Sequence, residues 1–264
     1  AIKYLLKAYD IDVSNIEVIQ RLVSIYMENK NFSDAEFYNE ILLKEFSDDP
    51  SGFINASIIS LNNSSPQKAI DYLKPNIEKF NDNYSAHYLL GTSYYQIDDL
   101  VNSENHFIKA LSIFPGSRNS KHTLAMIYDQ NGSWVKSDSL YLELITTDTT
   151  DAQAYNNFSY SLVERNDNLE LALEMSIIAN RIHPKSAPYL DTLGWIYYKL
   201  EQYEKALEYV QESYSLDNTN PVILEHLADI LKATDQISKA NLIYMQAIDI
   251  GGDSLSIQQK INIE

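Results

Sequence analysis

A fixed internal period constrains this chain more than any other feature of it. Two stretches, SAHYLLGTSYYQIDDLVNSENHFIKALSIFPGS and APYLDTLGWIYYKLEQYEKALEYVQESYSLDN, share one pattern: Leu-Gly, a Tyr three residues after the Gly, and a small residue nine further on. Sliding that pattern along the sequence gives unit starts at Ile16, Pro50, Tyr84, Arg118, Ala152, Ala187 and Pro221, separated by 34, 34, 34, 34, 35 and 34 residues. The single 35 reflects one extra residue in the ERNDN turn. Position twenty of the units reads Ala35, Ala69, Ser103, Ser137, Ala172, Ala206 and Ala240. Position seven reads Leu22, Ala56, Leu90, Leu124, Phe158, Leu193 and Leu227, and position eleven Tyr26, Ser60, Tyr94, Tyr128, Leu162, Tyr197 and Leu231. Position eight is mostly small: Val23, Ser57, Gly91, Ala125, Ser159, Gly194 and Ala228.

The period predicts two helices per unit. Seven glycines and seven prolines in 264 residues are too few for a turn-rich β fold. Small residues at positions eight and twenty let two helix backbones approach where they cross, and the larger side chains at seven and eleven fill the layer between neighbours. One hairpin cannot bury its own apolar face, so units must stack. The expected fold is all-α, a solenoid of helix–turn–helix hairpins at 16–49, 50–83, 84–117, 118–151, 152–186, 187–220 and 221–254. Residues 1–15 read as the second helix of a truncated unit, with more solenoid expected upstream. Gly251-Gly252 ends the last helix, and residues 255–264 read as a cap. The unit 50–83 is degenerate: Ala56, Ser57 and Ser60 replace larger residues or glycine, and Pro75 is expected to kink its second helix.

This 34-residue signature resembles the tetratricopeptide-repeat family over nearly the whole chain. The resemblance implies a right-handed superhelix whose first helices line a concave face. On those helices positions two, five, nine and twelve form the stripe expected to meet a ligand. The candidates are Tyr88, Thr92 and Tyr95; His122 and Met126, with Asp129; Asn156 and Tyr160; Asp191, Trp195 and Tyr198; and Glu225 and Asp229. Aromatic and amide groups in the middle and acids at the C-terminal end suit a neutral or basic peptide. The alternative makes these tyrosines packing between adjacent units. Chaperone-tail clamps of this family use Lys, Arg and Asn here, whereas this stripe offers a dianionic tail Asp191, Glu225 and Asp229.

The last three units, AYNNFSYSLVERNDNLELALEM, LDTLGWIYYKLEQYEKALEY and VILEHLADILKATDQISKA, are similar to bacterial cell-envelope tetratricopeptide lipoproteins and periplasmic adaptors. Some of these scaffold a protease and its substrates. That resemblance implies the periplasmic side of an envelope, with the cytoplasm as the alternative.

No catalytic pattern accompanies the repeats. The histidines, His87, His106, His122, His183 and His226, never fall four apart, and no phosphate-binding glycine loop or nucleophile elbow occurs. They read as isolated structural or surface residues. With no cysteine, a thiolate site is excluded. A net charge of −17, from 20 basic and 37 acidic residues, opposes phosphate backbones and anionic membranes. Acidic pairs such as Glu225 with Asp229 read as solvated surface. The expectation is a non-enzymatic adaptor with no metal and no cofactor, binding a protein or peptide and no nucleic acid. The runner-up is a structural scaffold or self-associating spacer acting through its convex face or ends.

Overall fold

The computed structural model describes residues 1–261, and among these the regular elements are all helical. They form two compact units, divided between Ile127 and Tyr128. Unit 1 contains α1 (Ile2–Ile11), α2 (Ile16–Glu28), α3 (Phe32–Glu45), α4 (Ser51–Asn62), α5 (Pro66–Leu73), α6 (Tyr84–Gln96), α7 (Leu100–Ile113) and the start of α8 (Arg118–Gln130). Unit 2 takes the end of α8 and continues through α9 (Trp134–Thr147), α10 (Ala152–Glu164), α11 (Leu169–Ile182), α12 (Ala187–Lys199), α13 (Tyr203–Leu216), α14 (Pro221–Ala233), α15 (Ile237–Asp249) and α16 (Ser254–Lys260). Within each unit the chain is an α-helical repeat solenoid of successive hairpins.

Local chemistry sets where helices start and stop. Asn15, Asn83, Asp151 and Asn220 accept hydrogen bonds from the backbone N–H groups of Val18, Ala86, Ala154 and Val222. Each such cap stabilises its helix by about 1 kcal/mol. The hairpin turns repeat with the sequence. Lys30, Ser64, Asp98, Gly132, Asn166, Glu201 and Asp235 all have positive φ. In every case the next residue's N–H returns to a carbonyl five residues back: Asn31 to Tyr26, Ser65 to Ser60, Asp99 to Tyr94, Ser133 to Tyr128, Asp167 to Leu162, Gln202 to Tyr197 and Gln236 to Leu231. These bonds satisfy carbonyls that the ending helix would leave open. The extra residue of the ERNDN turn is absorbed by a second left-handed residue, Asn168, whose side chain caps α11 at Leu171.

The helix crossings are as tight as small residues allow. Ala35, Ala69, Ser103, Ser137, Ala172, Ala206 and Ala240 have no exposed surface. Ser103 donates to the Gly91 carbonyl at 2.8 Å, tying the two helices of a hairpin where they cross. Four residues after the small position of α9, Tyr141 reaches the next hairpin and stacks on Phe158 at 5.8 Å.

Pro75 does more than kink its helix. The α-helix stops at Leu73, and Pro75 sits in a 3₁₀ turn, Lys74–Asn76. Proline has no N–H for the Asp71 carbonyl, and its ring clashes with that carbonyl. Phe80, from the segment that follows, is buried against Phe53 and packs with Ile70 and Leu73. At the C-terminus α16 inserts Ile257, fully buried, into the core of α13–α15. Of the expected cap 255–264, residues 262–264 lie outside the described residues.

Two histidines are not isolated. His87 and His106 place their Nδ1 atoms 3.0 Å apart, and His87 Nε2 lies 3.1 Å from the Asn81 carbonyl. That carbonyl can only accept, so His87 donates from Nε2 and His106 donates to His87 Nδ1. Burial, then the nearby charges of His87 and Lys74, push His106 down to about 4. Burial lowers His87 as well, against the Asn81 carbonyl. Because the folded-state pKa lies below the unfolded one, the stabilisation is complete above about pH 6.5 and is lost as pH falls toward 4. Unit 1 is expected to lose about 2 kcal/mol between pH 7 and pH 5 through His106. Urea unfolding at the two pH values, wild type against His106→Gln, measures it. An identical pH dependence in both proteins would remove the pair from the account.

Candidate functional site

In unit 2 the first helices α10, α12 and α14 carry the C-terminal part of the predicted stripe. Pro188 and Pro221 sit in the first turns of α12 and α14, where a missing N–H costs nothing. Trp195 stacks on Tyr198 (centroids 4.7 Å, planes 11° apart) and on His226 of α14 (4.0 Å, 12°). Its indole N–H donates to Glu164 Oε1 at 2.8 Å, and Lys199 Nζ lies 4.7 Å from its ring. His226 Nδ1 donates to Asp191 Oδ2 at 2.9 Å, with both groups buried. Asp191 Oδ1 and Asn156 Oδ1 are buried acceptors with no hydrogen-bond donor. Tyr160 is half-buried; burial, then the carboxylates of Glu164, Asp191 and Glu225, push its hydroxyl pKa well up, so it stays a hydrogen-bond donor at any physiological pH.

The acidic end of the stripe is occupied by the protein itself. Lys260, at the end of α16, places Nζ 2.7 Å from Glu225 Oε1 and 2.7 Å from Asp229 Oδ2. Tyr244 donates to the other oxygen of Asp229, and Lys232 donates to the Lys260 carbonyl. Burial disfavours the charge on Lys260, but its bonds to Asp229 and Glu225 outweigh this and hold its pKa above the usual lysine value. Glu225 and Asp229 are therefore a half-buried, lysine-bridged pair rather than the solvated surface pair expected. An open cleft of about 530 Å³ remains beside them, lined by Trp195, Tyr198, Lys199, Asp229, Lys232 and Lys260 among others.

In unit 1 the stripe is used mostly for packing. Tyr88 stacks on Tyr84 at 5.7 Å and meets Phe107 edge-on, and Thr92 donates to the Tyr88 carbonyl of its own helix. Tyr95 and Met126 are half-buried and His122 is buried. Asp129, in unit 2, accepts from Ser137, Ser161 and Tyr141, and so clasps three helices. Among the stripe candidates, Asn156, Asp191 and Trp195 are also buried, at 7%, 5% and 7% exposure. Trp195, a stripe residue expected to meet a ligand, is instead a structural element of unit 2.

The structure adds Glu164, Lys199, His226, Tyr244 and Lys260. His226 offers no spacing signal, because its partner Asp191 is 35 residues away. That distance is one residue more than the 34-residue period, which from Asp191 leads to Glu225 instead. Among the described residues no group of three metal-ligating side chains occurs, and no helix is long and apolar enough to cross a membrane.

A family model described as a tetratricopeptide repeat matches residues 56–250. The chain is 23% identical over 171 residues to the type IV pilus assembly protein PilF of Pseudomonas aeruginosa, covering 64% of this chain and 68% of that one. A solved PilF structure overlays with a TM-score of 0.56 over 66% of this chain and 79% of its own length. A repeat protein from Parabacteroides merdae overlays at 0.77, with 12% identity, over 93% and 96% of the two chains. YrrB, described as having an unusual peptide-binding site, overlays at 0.56, with 18% identity, over 70% and 95%.

Proposed function

The chain belongs to the tetratricopeptide-repeat family, and from that premise we propose that it is a non-enzymatic adaptor that holds a peptide or protein partner. The surface we assign is the first-helix face of unit 2. The observation that carries this reading is the half-exposed Tyr198 beside the open cleft, with Lys199 and the exposed Glu164 on the same set of helices. Such a surface offers an aromatic face to stack on and the Glu164 carboxylate to accept N–H groups. Because Lys260 already bridges Glu225 and Asp229, the preference for a basic partner rests on the exposed Glu164. The likeness to PilF and to envelope repeat proteins supports a bacterial envelope setting for the adaptor, and YrrB supports a peptide ligand for this fold.

The test is selection of a random peptide library on the immobilised protein, followed by affinity measurement against wild type and Tyr198→Ala. The variant is expected to bind about 2 kcal/mol more weakly, as loss of a central aromatic contact does, with its circular dichroism unchanged. Equal affinity in the two proteins would refute the assignment of this face.

A further inference from the structure

The degenerate hairpin of unit 1 leaves a cavity where its neighbours have side chains. Position seven and position eleven elsewhere carry pairs such as Leu22 with Tyr26 and Leu90 with Tyr94, all buried. In α4 these positions are Ala56 and Ser60. The side chain that reaches them from the preceding hairpin is also reduced. Where Leu73, Phe107, Tyr141, Val210 and Tyr244 stand in later hairpins, α3 has Asn39; the one smaller residue at this position, Ser176, is followed by a hairpin with full-sized Leu193 and Tyr197. Three undersized residues thus face one another, and a cavity of about 230 Å³ opens between α3, α4 and α5. One water needs only ~10–15 Å³ of such space, so the cavity is of side-chain size.

Its chemistry is as specific as its shape. Asn39 is 2% exposed, and its amide N–H donates to the Gly52 carbonyl at 2.8 Å. That bond turns Asn39 Oδ1 away from Gly52, and Oδ1 has no hydrogen-bond partner. Leaving a buried acceptor unsatisfied is costly, so an occupant that donates to it gains more than apolar contact. Ser60 cannot serve, because its hydroxyl is bonded to the Ala56 carbonyl of its own helix at 2.7 Å. Ala56 and Ile59 give the cavity an apolar wall, while Glu36, Glu40 and Lys68, all exposed, stand at its mouth.

We propose that this cavity is a second recognition site, which takes one aromatic side chain bearing a hydrogen-bond donor, a tyrosine or tryptophan, from a partner polypeptide. The ring replaces the missing leucine and tyrosine of the layer, and a small shift of the enclosing side chains lets its O–H or N–H meet Asn39 Oδ1, which has no exposed surface of its own. The site lies in unit 1 and is independent of the unit 2 face assigned above.

Small-molecule probes test it directly. On isotopically labelled protein, 4-methylphenol and 3-methylindole are expected to shift the Asn39 side-chain amide and the Ala56 methyl saturably. Toluene, which fills the same volume without a donor, is expected to bind about tenfold more weakly, ~1.4 kcal/mol. Ala56→Leu with Ser60→Tyr, which restores the residues of the neighbouring hairpins, should abolish binding without lowering the thermal midpoint. Tyr198→Ala should leave it untouched. Intermolecular NOEs from the probe ring to the Ala56 methyl report occupancy in the unmodified protein, whatever the filled variant does. Absence of saturable shifts, water alone in the cavity, equal binding of toluene, or equal binding by the filled variant would each overturn the proposal.

Discussion

Trp195→Ala is expected to lower the stability of unit 2 by about 3–5 kcal/mol, the usual cost of truncating a buried indole. Trp195 is 7% exposed, covers the His226 ring and gives its N–H to Glu164. Removing it leaves a cavity between α12 and α14 and uncovers the Asp191–His226 hydrogen bond. Urea unfolding followed by far-ultraviolet circular dichroism reads the loss. A cost below about 1 kcal/mol would mean the indole is not part of the core, and would return it to the role of an accessible anchor. Tyr198, next to it and half-exposed, is for this reason the residue whose truncation reports binding rather than folding.

Gly194→Leu is expected to cost about 3 kcal/mol or more through overpacking. A Cβ at position 194 would lie 2.4 Å from Val210 Cγ2 and 3.1 Å from both the Ala206 carbonyl oxygen and the Val210 nitrogen. Val210 can rotate aside, but the α13 backbone atoms cannot, so α12 and α13 must separate. Gly194→Ala is the sharper control. Alanine gains up to about 1 kcal/mol of helix propensity over glycine, so net destabilisation by this single methyl means that contact outweighs propensity. A stabilised Gly194→Ala would show that the crossing has slack, and the tight-crossing account would fall.

The sequence made the hairpins legible because the crossing and the turn are local requirements. A small residue at position twenty and a leucine at seven answer to neighbours within one hairpin or the next. The same reasoning left Ala56 and Ser60 as mere irregularities, because the hole they open is shaped equally by Asn39, on a different helix. Lys260 was illegible for a related reason. It reaches Glu225 and Asp229 across 35 and 31 residues, and charge counting cannot say which of 37 acids a given lysine will meet. Trp195 was misjudged because a stripe about a third of a turn from the core is partly covered once neighbouring first helices pack side by side. The Pro75 break was read in direction but not in degree, since whether a proline bends or ends a helix depends on what Phe80 finds to pack against.

The seven left-handed turn residues bear on how this protein could be made sturdier. Only Gly132 adopts that conformation without a side chain to crowd the backbone; Lys30, Ser64, Asp98, Asn166, Glu201 and Asp235 hold it against a steric preference on the order of 1 kcal/mol for ordinary residues. Each of these residues is separated from the next by a whole hairpin, so relief at one is energetically blind to relief at another. The reserve of thermal tolerance in this chain therefore resides in its bends, where it can be drawn on joint by joint while both recognition surfaces keep their shape.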